Sequence, residues 1–458
     1  MNTIVLVLLA SFVLFVRTRV LKYRAMIRSL QDHPGSRNLM TSMGVFGLLS
    51  PRGFPGNIME GGLRVWYTKH RDFELYGMDI ITSASVFPKP EAVFLVADAA
   101  AIKDITTTRA RFPKPIAPYA VLSVFGPNIV ASEGDLWKRF RKVSAPAFSE
   151  RNNRLGWNET VETMKDLFEN VWGEQAQISV DHVVDVVLPI ALFVISAAGF
   201  GRRILWKDTL VIPHGHRMTF KDALNVVSHN VFWKIATPPW IMNHLPTPHM
   251  KTVRVAFEEL AQHMQEMIDA RRTAEKKEHY DLFTNLLDAN EDELDGSNKL
   301  SDKELLGNIF IFLLAEAFYL PEGYLYAVRC TTRCEMNLLT ETLAVLYETL
   351  RLFPAVIGIP KQAAEDTTLT TQDANGNRVV VPITQGAWVV LQVPGLHHNP
   401  RYWDDPYAFK PERFLGDWPR DAFVPFSSGA RACLGRRFFE TEGVAIVTML
   451  VWRYKITV

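Results

Sequence analysis

Cysteine is scarce in this chain, with three among 458 residues. Three thiols are too few for a disulfide framework, so the count favours a reducing compartment. Cys330 and Cys334 stand four residues apart, but no pattern of histidines, cysteines or carboxylates beside them completes a metal site. We interpret these two as small buried or reduced residues. Cys433 is therefore the remaining candidate for a functional cysteine.

An excess of charge is also absent. The 50 basic and 49 acidic residues leave a formal net charge of +1, so composition gives no reason to expect a nucleic acid as partner. The sequence has no internal repeat and no low-complexity tract. Apolar residues are abundant instead: 48% of the chain is hydrophobic, with 28 Phe and 11 Trp. This composition predicts a sizeable core that can enclose a flat hydrophobic cofactor.

The N-terminus departs from this globular character. Thr3 to Val16 is apolar apart from Thr3 and Ser11, and a basic cluster follows: Arg17, Arg19, Lys22 and Arg24. Fourteen helical residues span only about 21 Å, but extension to Leu21 crosses a bilayer if Arg17 and Arg19 reach the headgroups. A cleaved signal peptide is the competing interpretation. No basic residues precede the run and no small-residue cleavage site follows it, so we favour a membrane anchor.

These features predict an organisation in three parts. The anchor covers 1–24, and a segment at 25–57, rich in Gly, Pro and Ser, forms a hinge. Residues 58–458 then form one functional domain, because no composition shift divides them. The basic flank on the C-terminal side of the anchor favours a body on the cytosolic face of a membrane.

Helical periodicity dominates the middle of the chain and strand signals cluster late. We predict helices over 157–171, 180–200, 252–277, 302–320 and 339–353, and strands over 378–381 and 387–393. The predicted fold class is mainly α with a minor β-sheet.

The most informative stretch is Phe426-Ser-Ser-Gly429-Ala-Arg431-Ala-Cys433-Leu-Gly435. Glycines on both sides of the cysteine allow a close backbone approach and positive φ angles. A thiolate in an apolar setting is a good axial ligand for haem iron. The stretch resembles the cysteine-ligand signature of the cytochrome P450 family at all five of its defining positions. The resemblance implies the cytochrome P450 fold, with haem b ligated through its iron by Cys433.

Two further motifs belong to the same resemblance. Glu348 and Arg351 are three apart on a predicted helix and share a face. By themselves they indicate an ordinary surface pair. Arg413 lies in the later motif Phe409-Lys-Pro-Glu-Arg413-Phe. In the family, the corresponding glutamate and two arginines lock together, so the resemblance implies a buried triad of Glu348, Arg351 and Arg413.

A helix opening at Trp137 carries residues that suit a carboxylate. Trp137 and Arg141 are four apart and face the same way, and arginine binds carboxylates bidentately. The resemblance implies that both bind haem propionates, with Arg431 from the cysteine loop as a third partner. His397 is a weaker candidate, which we expect at the surface. Five basic residues beside these motifs form either a face that attracts an acidic reductase or a scattered solvated set: Lys138, Arg139, Lys142, Arg436 and Arg437.

The sequence departs from the family where protons are delivered. Relatives carry two small residues, an acid and a hydroxyl residue on the long distal helix. Here Ala315 is followed by Glu316, no Thr or Ser comes after the acid, and Pro321 ends the helix. Glu316 is the candidate proton donor. The interval from Ala315 to Glu348 is 33 positions, which is short for the elements that the family places there.

The C-terminus adds a second departure. The chain stops at Val458, where relatives usually continue into a substrate-contacting hairpin. We therefore expect both the distal helix and the C-terminal hairpin to be incomplete. Either the sequence lacks an exon's worth of residues, or the protein is a variant with altered chemistry.

Three functions remain open at this stage. The first is a haem-thiolate monooxygenase of the endoplasmic reticulum membrane, which takes electrons from NADPH through a cytochrome reductase and places one oxygen atom in an apolar small molecule. The second is a haem-thiolate isomerase or dehydratase, which does not need the acid and hydroxyl pair. The third is a catalytically impaired haem-binding product that lacks part of its distal wall.

Overall fold

The computed structural model describes most of the chain, in the ranges 3–43, 47, 50, 52–199, 201, 203–206, 211–237, 247–273, 283–284, 299–315 and 339–456. Its α-helices are α1 (Thr3–Ser29), α2 (Arg64–Thr68), α3 (Arg71–Tyr76), α4 (Ala99–Thr107), α5 (Gly134–Ser144), α6 (Glu150–Asp166), α7 (Val184–Val194), α8 (Phe220–Ala236), α9 (Pro248–Thr273), α10 (302–315), α11 (Leu339–Leu352), α12 (Val393–His397) and α13 (Arg436–Arg453).

The strands are β1 (Gly35–Met40), β2 (Gly53–Phe54), β3 (Met59–Glu60), β4 (Ile80–Phe87), β5 (Glu91–Val96), β6 (Gly358–Gln362), β7 (Thr367–Gln372), β8 (Arg378–Ile383) and β9 (Trp388–Gln392). Short 3₁₀ turns lie at Ala117–Ser123, Ala145–Phe148, Pro411–Phe414, Arg420–Ala422 and Gly429–Arg431, and π-helical turns extend α6 and α7 at Leu167–Trp172 and Ile195–Gly199. The protein is mainly α-helical with small sheets, as predicted.

The chain divides into two compact units, each assembled from separate stretches of sequence. Unit 1 comprises 1–115, 356–408 and 418–433, and unit 2 comprises 116–355, 409–417 and 434–458. Each unit is built from three separate stretches, so no single position in the sequence separates them. For this reason the sequence analysis predicts one domain over 58–458. A search for linkers cannot detect units that are interleaved along the chain.

Unit 1 contains all the described strands. Its main sheet has the order β1-β4-β5-β9-β6, with β1 parallel to β4, β5 parallel to β9, and antiparallel pairs at β4-β5 and β9-β6. The expectation that strands cluster late is wrong, because β4 and β5 form the middle of this sheet. Strand β4 reads Ile-Ile-Thr-Ser-Ala-Ser-Val-Phe, and its small buried residues weaken the β-branched signal used to predict strands.

The N-terminal helix is longer than predicted. Helix α1 runs through the predicted anchor to Ser29, and Ile4–Ser29 is long and apolar enough to cross a membrane. The predicted hinge at 25–57 is partly ordered, because 35–40 form the edge strand β1. The Gly, Pro and Ser content of this segment hides a strand that is held by backbone pairing with β4.

Unit 2 is a bundle of helices whose contacts are set by small residues and caps. A Cβ atom at Gly156 of α6 would lie 2.6 Å from the ring of Phe438 on α13, so glycine permits the close packing of these two helices. Helix α10 begins with a reciprocal cap between Ser301 and Glu304. Asn308 of α10 accepts a hydrogen bond from the backbone N–H of Ile129 at 2.9 Å, which ties the 126–129 loop to the helix.

Candidate functional site

The cysteine loop is a tight turn held by its own backbone. The Cys433 N–H donates to the carbonyl of Phe426 at 2.9 Å, and the Ala432 N–H donates to the carbonyl of Gly429 at 3.1 Å. These bonds close the turn around the single 3₁₀ turn Gly429–Arg431. The Cys433 side chain is exposed, so a ligand can reach the sulfur atom.

Gly429 is the position in this loop that requires glycine. Its φ is +66°, and a Cβ atom there would lie 2.3 Å from the carbonyl oxygen of Thr106 in α4. Gly435 differs from the expectation for flanking glycines, since its φ is −80° and it caps α13. Ser427 takes a positive φ of 60° instead, which the sequence analysis missed because serine gives no signal for that conformation.

His397 supports the start of the cysteine loop, and the expectation that it lies at the surface is wrong. Its side chain is fully buried at the end of α12. Its Nε2 accepts the Val424 N–H at 2.9 Å, and its ring stacks on Phe423 at 5.3 Å. Val424 in turn accepts the Ser427 N–H. His398, the next residue, is equally buried, and nothing local in the sequence marks either histidine as buried.

Glu348, Arg351 and Arg413 lie together in unit 2. Arg351 donates to both oxygens of Glu348, at 2.6 and 2.8 Å, and Arg413 donates to Oε1 at 3.2 Å. The backbone N–H of Lys410 adds a fourth hydrogen bond at 2.9 Å. The side chains of Glu348 and Arg351 are 0% exposed, so the arrangement is the buried network implied by the resemblance and not a surface pair.

A second network, which the sequence analysis missed, begins at the neighbouring residue of α11 and includes the buried side chains of Tyr347 and Glu440. The Tyr347 hydroxyl donates to Glu440 Oε1 at 2.5 Å, and Arg436 donates to both groups, at 2.7 and 3.1 Å. Burial raises the pKa of the Tyr347 phenol, and its bond to Glu440 raises that pKa further. Arg436 and Glu440 are spaced i, i+4 on α13, which is the available sequence signal. The network fixes the start of α13, three residues after Cys433.

Trp137 and Arg141 share one face of α5, as their spacing predicts. The Trp137 side chain is buried, and the Arg141 guanidinium lies 5.8 Å from the centre of the indole ring. Both residues belong to unit 2, whereas Arg431 belongs to unit 1. The structure therefore brings the first two together and describes Arg431 within the cysteine loop.

Four of the basic residues beside these motifs pair with acids. Lys138 pairs with Asp135 at 2.7 Å, and Arg139 pairs with Glu304. Arg436 and Arg437 both pair with Glu440, at 2.7 and 3.2 Å. This pairing lowers the local positive field below the value that a count of basic residues predicts. The candidate acid Glu316 lies outside the described residues, as do Cys330 and Cys334.

Comparisons with known proteins cover nearly the whole chain. The sequence profile of the family "Cytochrome P450" matches residues 79–316 and 325–458. Cytochrome P450 monooxygenase 124 of Postia placenta is 48% identical over 483 alignment positions, which cover 100% of this chain and 92% of that protein. Since this chain has 458 residues, about 25 positions of that alignment have no counterpart here.

More distant relatives agree with this result. Cytochrome P450 monooxygenase ORF6 of Penicillium roqueforti is 28% identical over 85% of this chain and 78% of its own length. Among solved structures, the haem domain of cytochrome P450DA superposes with a TM-score of 0.66 at 20% identity, covering 91% of each chain, and supports the fold alone. The chain therefore belongs to the cytochrome P450 family, oxidoreductases that carry haem b with its iron ligated by a cysteine.

Proposed function

We propose that this protein is a membrane-anchored monooxygenase that transfers one oxygen atom from O₂ to an apolar small molecule, with NADPH as electron source and a cytochrome reductase as partner. The observation that carries the proposal is the cysteine loop, whose exposed thiol sits in a backbone turn that Gly429 permits. Helix α1 is the proposed anchor, and the endoplasmic reticulum with a cytosolic body is the proposed location.

The residues present fit a haem group. Cys433 offers a soft sulfur ligand, and a thiolate is a suitable axial ligand for haem iron. Trp137, Arg141 and Arg431 offer N–H donors suited to carboxylates, and we assign them to the propionates. When bound, the haem supplies the oxidation chemistry. The protein would contribute the thiolate and the propionate contacts.

The triad has a positioning role in this proposal. Glu348 holds the backbone N–H of Lys410 and the side chain of Arg413, so it fixes the stretch that leads towards the cysteine loop. Buried networks of this kind specify one geometry better than they add stability. His397 has a similar role, because it satisfies the Val424 N–H just ahead of the turn.

Proton delivery is the open step of the proposal. We assign it to Glu316, the first residue after the described part of α10. The family profile leaves 317–324 unmatched directly after this residue. That break, together with the alignment positions that have no counterpart in this chain, favours a second candidate: a haem-binding protein impaired in oxygen activation.

The test uses the full-length protein purified in detergent with haem. The ferrous protein with carbon monoxide should show the strongly red-shifted Soret band of thiolate ligation. Cys433→Ser should abolish that band, whereas the matched variants Cys330→Ser and Cys334→Ser should keep it. A band that persists in Cys433→Ser, or a histidine-type spectrum in the wild type, contradicts the assignment of the ligand.

A second measurement separates the candidate functions. Oxygen-dependent NADPH consumption with a reductase, and ¹⁸O from labelled O₂ in a product, support the monooxygenase. Conversion of a peroxide without reductase supports the isomerase or dehydratase. A normal Soret band without either activity supports the impaired protein. If Glu316 delivers the proton, Glu316→Gln should lower coupled turnover and leave the band intact.

A further inference from the structure

A cluster of ionisable side chains in unit 2 lies apart from the cysteine loop motifs. His216, in the segment 211–219 before α8, places Nδ1 2.9 Å from Glu259 and Nε2 3.0 Å from Glu266. The two glutamates lie on α9 seven residues apart, on one face of the helix. The side chains of His216 and Glu259 are 3% and 2% exposed, whereas Glu266 is 53% exposed.

This geometry fixes the charge of His216. A carboxylate only accepts hydrogen bonds, so both ring nitrogens must donate, and an imidazole with two N–H groups is a cation. Burial by itself would lower the pKa of His216, but the bonds to Glu259 and Glu266 raise it above its usual value. Burial opposes ionisation of Glu259, yet bonds from Arg217 and His216 hold its pKa at about 2.

The side chains around His216 suit a positive charge on its ring. His263 of α9 stacks face to face on His216, with ring centres 3.7 Å apart and planes 3° apart. The face of the His263 ring therefore covers one side of His216, and Nε2 of His263 can donate to the Met218 carbonyl at 3.2 Å. Phe220 at the start of α8 covers the edge of His263. The charged groups that face His216 are Glu259, Glu266 and its neighbour Arg217.

A bound metal ion fits this cluster less well. Ligand atoms of His216, His263 and Glu266 lie within 4.8 Å of one another. A metal ion must lie near the plane of each imidazole ring that ligates it. Two nearly parallel stacked rings with centres 3.7 Å apart share no such position, so one ring would have to rotate and His216 would lose its bond to Glu259.

We propose that His216, Glu259 and Glu266 form a proton-operated latch that ties the 211–219 segment to α9. When His216 loses its proton, one ring nitrogen becomes an acceptor facing a carboxylate, and that contact turns repulsive. Arg217 keeps a second tie, since it donates to Glu259 and Glu258 at 2.8 Å each, so the segment loosens without full release.

The direction of the pH effect follows from the pKa shifts. The folded-state pKa of His216 is raised, so its stabilisation is complete below the unfolded pKa of about 6.5 and is lost as pH rises through the folded value. The pKa values of Glu259 and Glu266 are lowered, so their contribution is lost only in acid. The latch is therefore closed in mildly acidic solution and opens as pH rises through the raised pKa of His216.

Aromatic contacts of α9 can transmit loosening of the 211–219 segment into the core of unit 2. Phe257, on the same helix α9, stacks on Phe125 at 5.8 Å, and Phe125 contacts Phe310 of α10 at 4.7 Å. Movement of α9 would thus reach α10, whose described part stops one residue before the proposed proton donor Glu316. The latch itself does not depend on the proposed function, because its test reads local opening and not turnover.

The experiment is hydrogen exchange of the full-length haem-loaded protein, followed by mass spectrometry between about pH 6 and about pH 9 and corrected for the intrinsic pH dependence of exchange. Each unit of pKa elevation corresponds to a tenfold change in the opening equilibrium. Protection of peptides from 211–223 should fall as pH rises across this range. His216→Gln should show low protection with no such fall, and the matched variant His214→Gln, at an exposed histidine two residues away, should behave as wild type.

A second variant keeps the test decisive if His216→Gln folds poorly. Glu266→Gln changes a half-exposed side chain and removes one charge from the bridge, so the fall in protection should move to lower pH. Protection that does not change with pH in the wild type overturns the proposal, as does a fall that persists in His216→Gln. Zn²⁺ that raises protection in the wild type, but not in His263→Ala, would identify the cluster as a metal site instead.

Discussion

The buried triad allows the sharpest test of the structure, through Glu348→Gln. The carboxylate accepts four hydrogen bonds, from two nitrogens of Arg351, from Arg413 and from the backbone of Lys410. Glutamine has one acceptor oxygen, and its NH₂ group would face an arginine N–H. The substitution therefore removes the counter-charge of Arg351, whose side chain is 0% exposed.

The expected cost follows from that burial. Removing one partner of a buried ion pair costs about 3–5 kcal/mol, because the other charge stays buried and uncompensated. Domains are stable by only about 5–15 kcal/mol, so the variant should lose a large share of its free energy of unfolding. Arg413, at 11% exposure, can turn towards water, so Arg413→Gln should cost less than Glu348→Gln.

The assay is denaturant unfolding of the haem-loaded protein, together with its haem content. Glu412→Gln is the matched control, since Glu412 is exposed in the same motif and should change stability by less than about 0.5 kcal/mol. The double variant Glu348→Leu/Arg351→Met removes both charges and should recover part of the loss. The reasoning is refuted if Glu348→Gln unfolds within about 1 kcal/mol of wild type, or if the double variant is as unstable as the single one.

Three further outcomes follow from the described geometry. Gly429→Ala should destabilise the cysteine loop by about 1–3 kcal/mol and lower haem content. Gly386→Ala should cost less, because Gly386 has a φ of +80° but an added Cβ atom there would have no neighbour within 4 Å. Equal costs would contradict the steric argument. Burial raises the pKa of Asp79 from 3.8 to about 6, so folding stability falls as pH rises between these values. Asp79→Asn should remove the contribution of Asp79 to the dependence of folding stability on pH, measured by thermal unfolding. An unchanged dependence would contradict this prediction. His397→Phe keeps a ring but leaves the Val424 N–H without its acceptor, so it should lower the free energy of unfolding by about 1–3 kcal/mol in denaturant. An unchanged free energy of unfolding would show that His397 does not stabilise the cysteine loop.

Local motifs in the sequence predicted the parts of the site that are themselves local. The turn around Cys433 closes through bonds within eight residues, and the spacing of Glu348 and Arg351 already places them on one helix face. The resemblance then supplied Arg413, which lies 62 residues from Arg351 and which no local pattern could connect to it.

The features that were missed depend on distant partners. The strand β4 has small buried residues, and its pairing with β1 and β5 makes it a strand. His397 is buried because Phe423 and Val424 cover it, and its sequence context resembles a polar loop. Tyr347 and Glu440 are 93 residues apart, so their contact could not be predicted from either helix alone.

The adjacent positions of Tyr347 and Glu348 have a consequence for assembly. Glu348 holds Lys410, while Tyr347 holds Arg436, so both ends of the stretch between them are tied to one turn of α11. Closing a loop of about 26 residues costs roughly 3 kcal/mol of chain entropy, and doubling its length would add only about 0.6 kcal/mol. The chain entropy of closing the stretch that carries Cys433 therefore depends only weakly on its length, while both of its ends stay tied to α11.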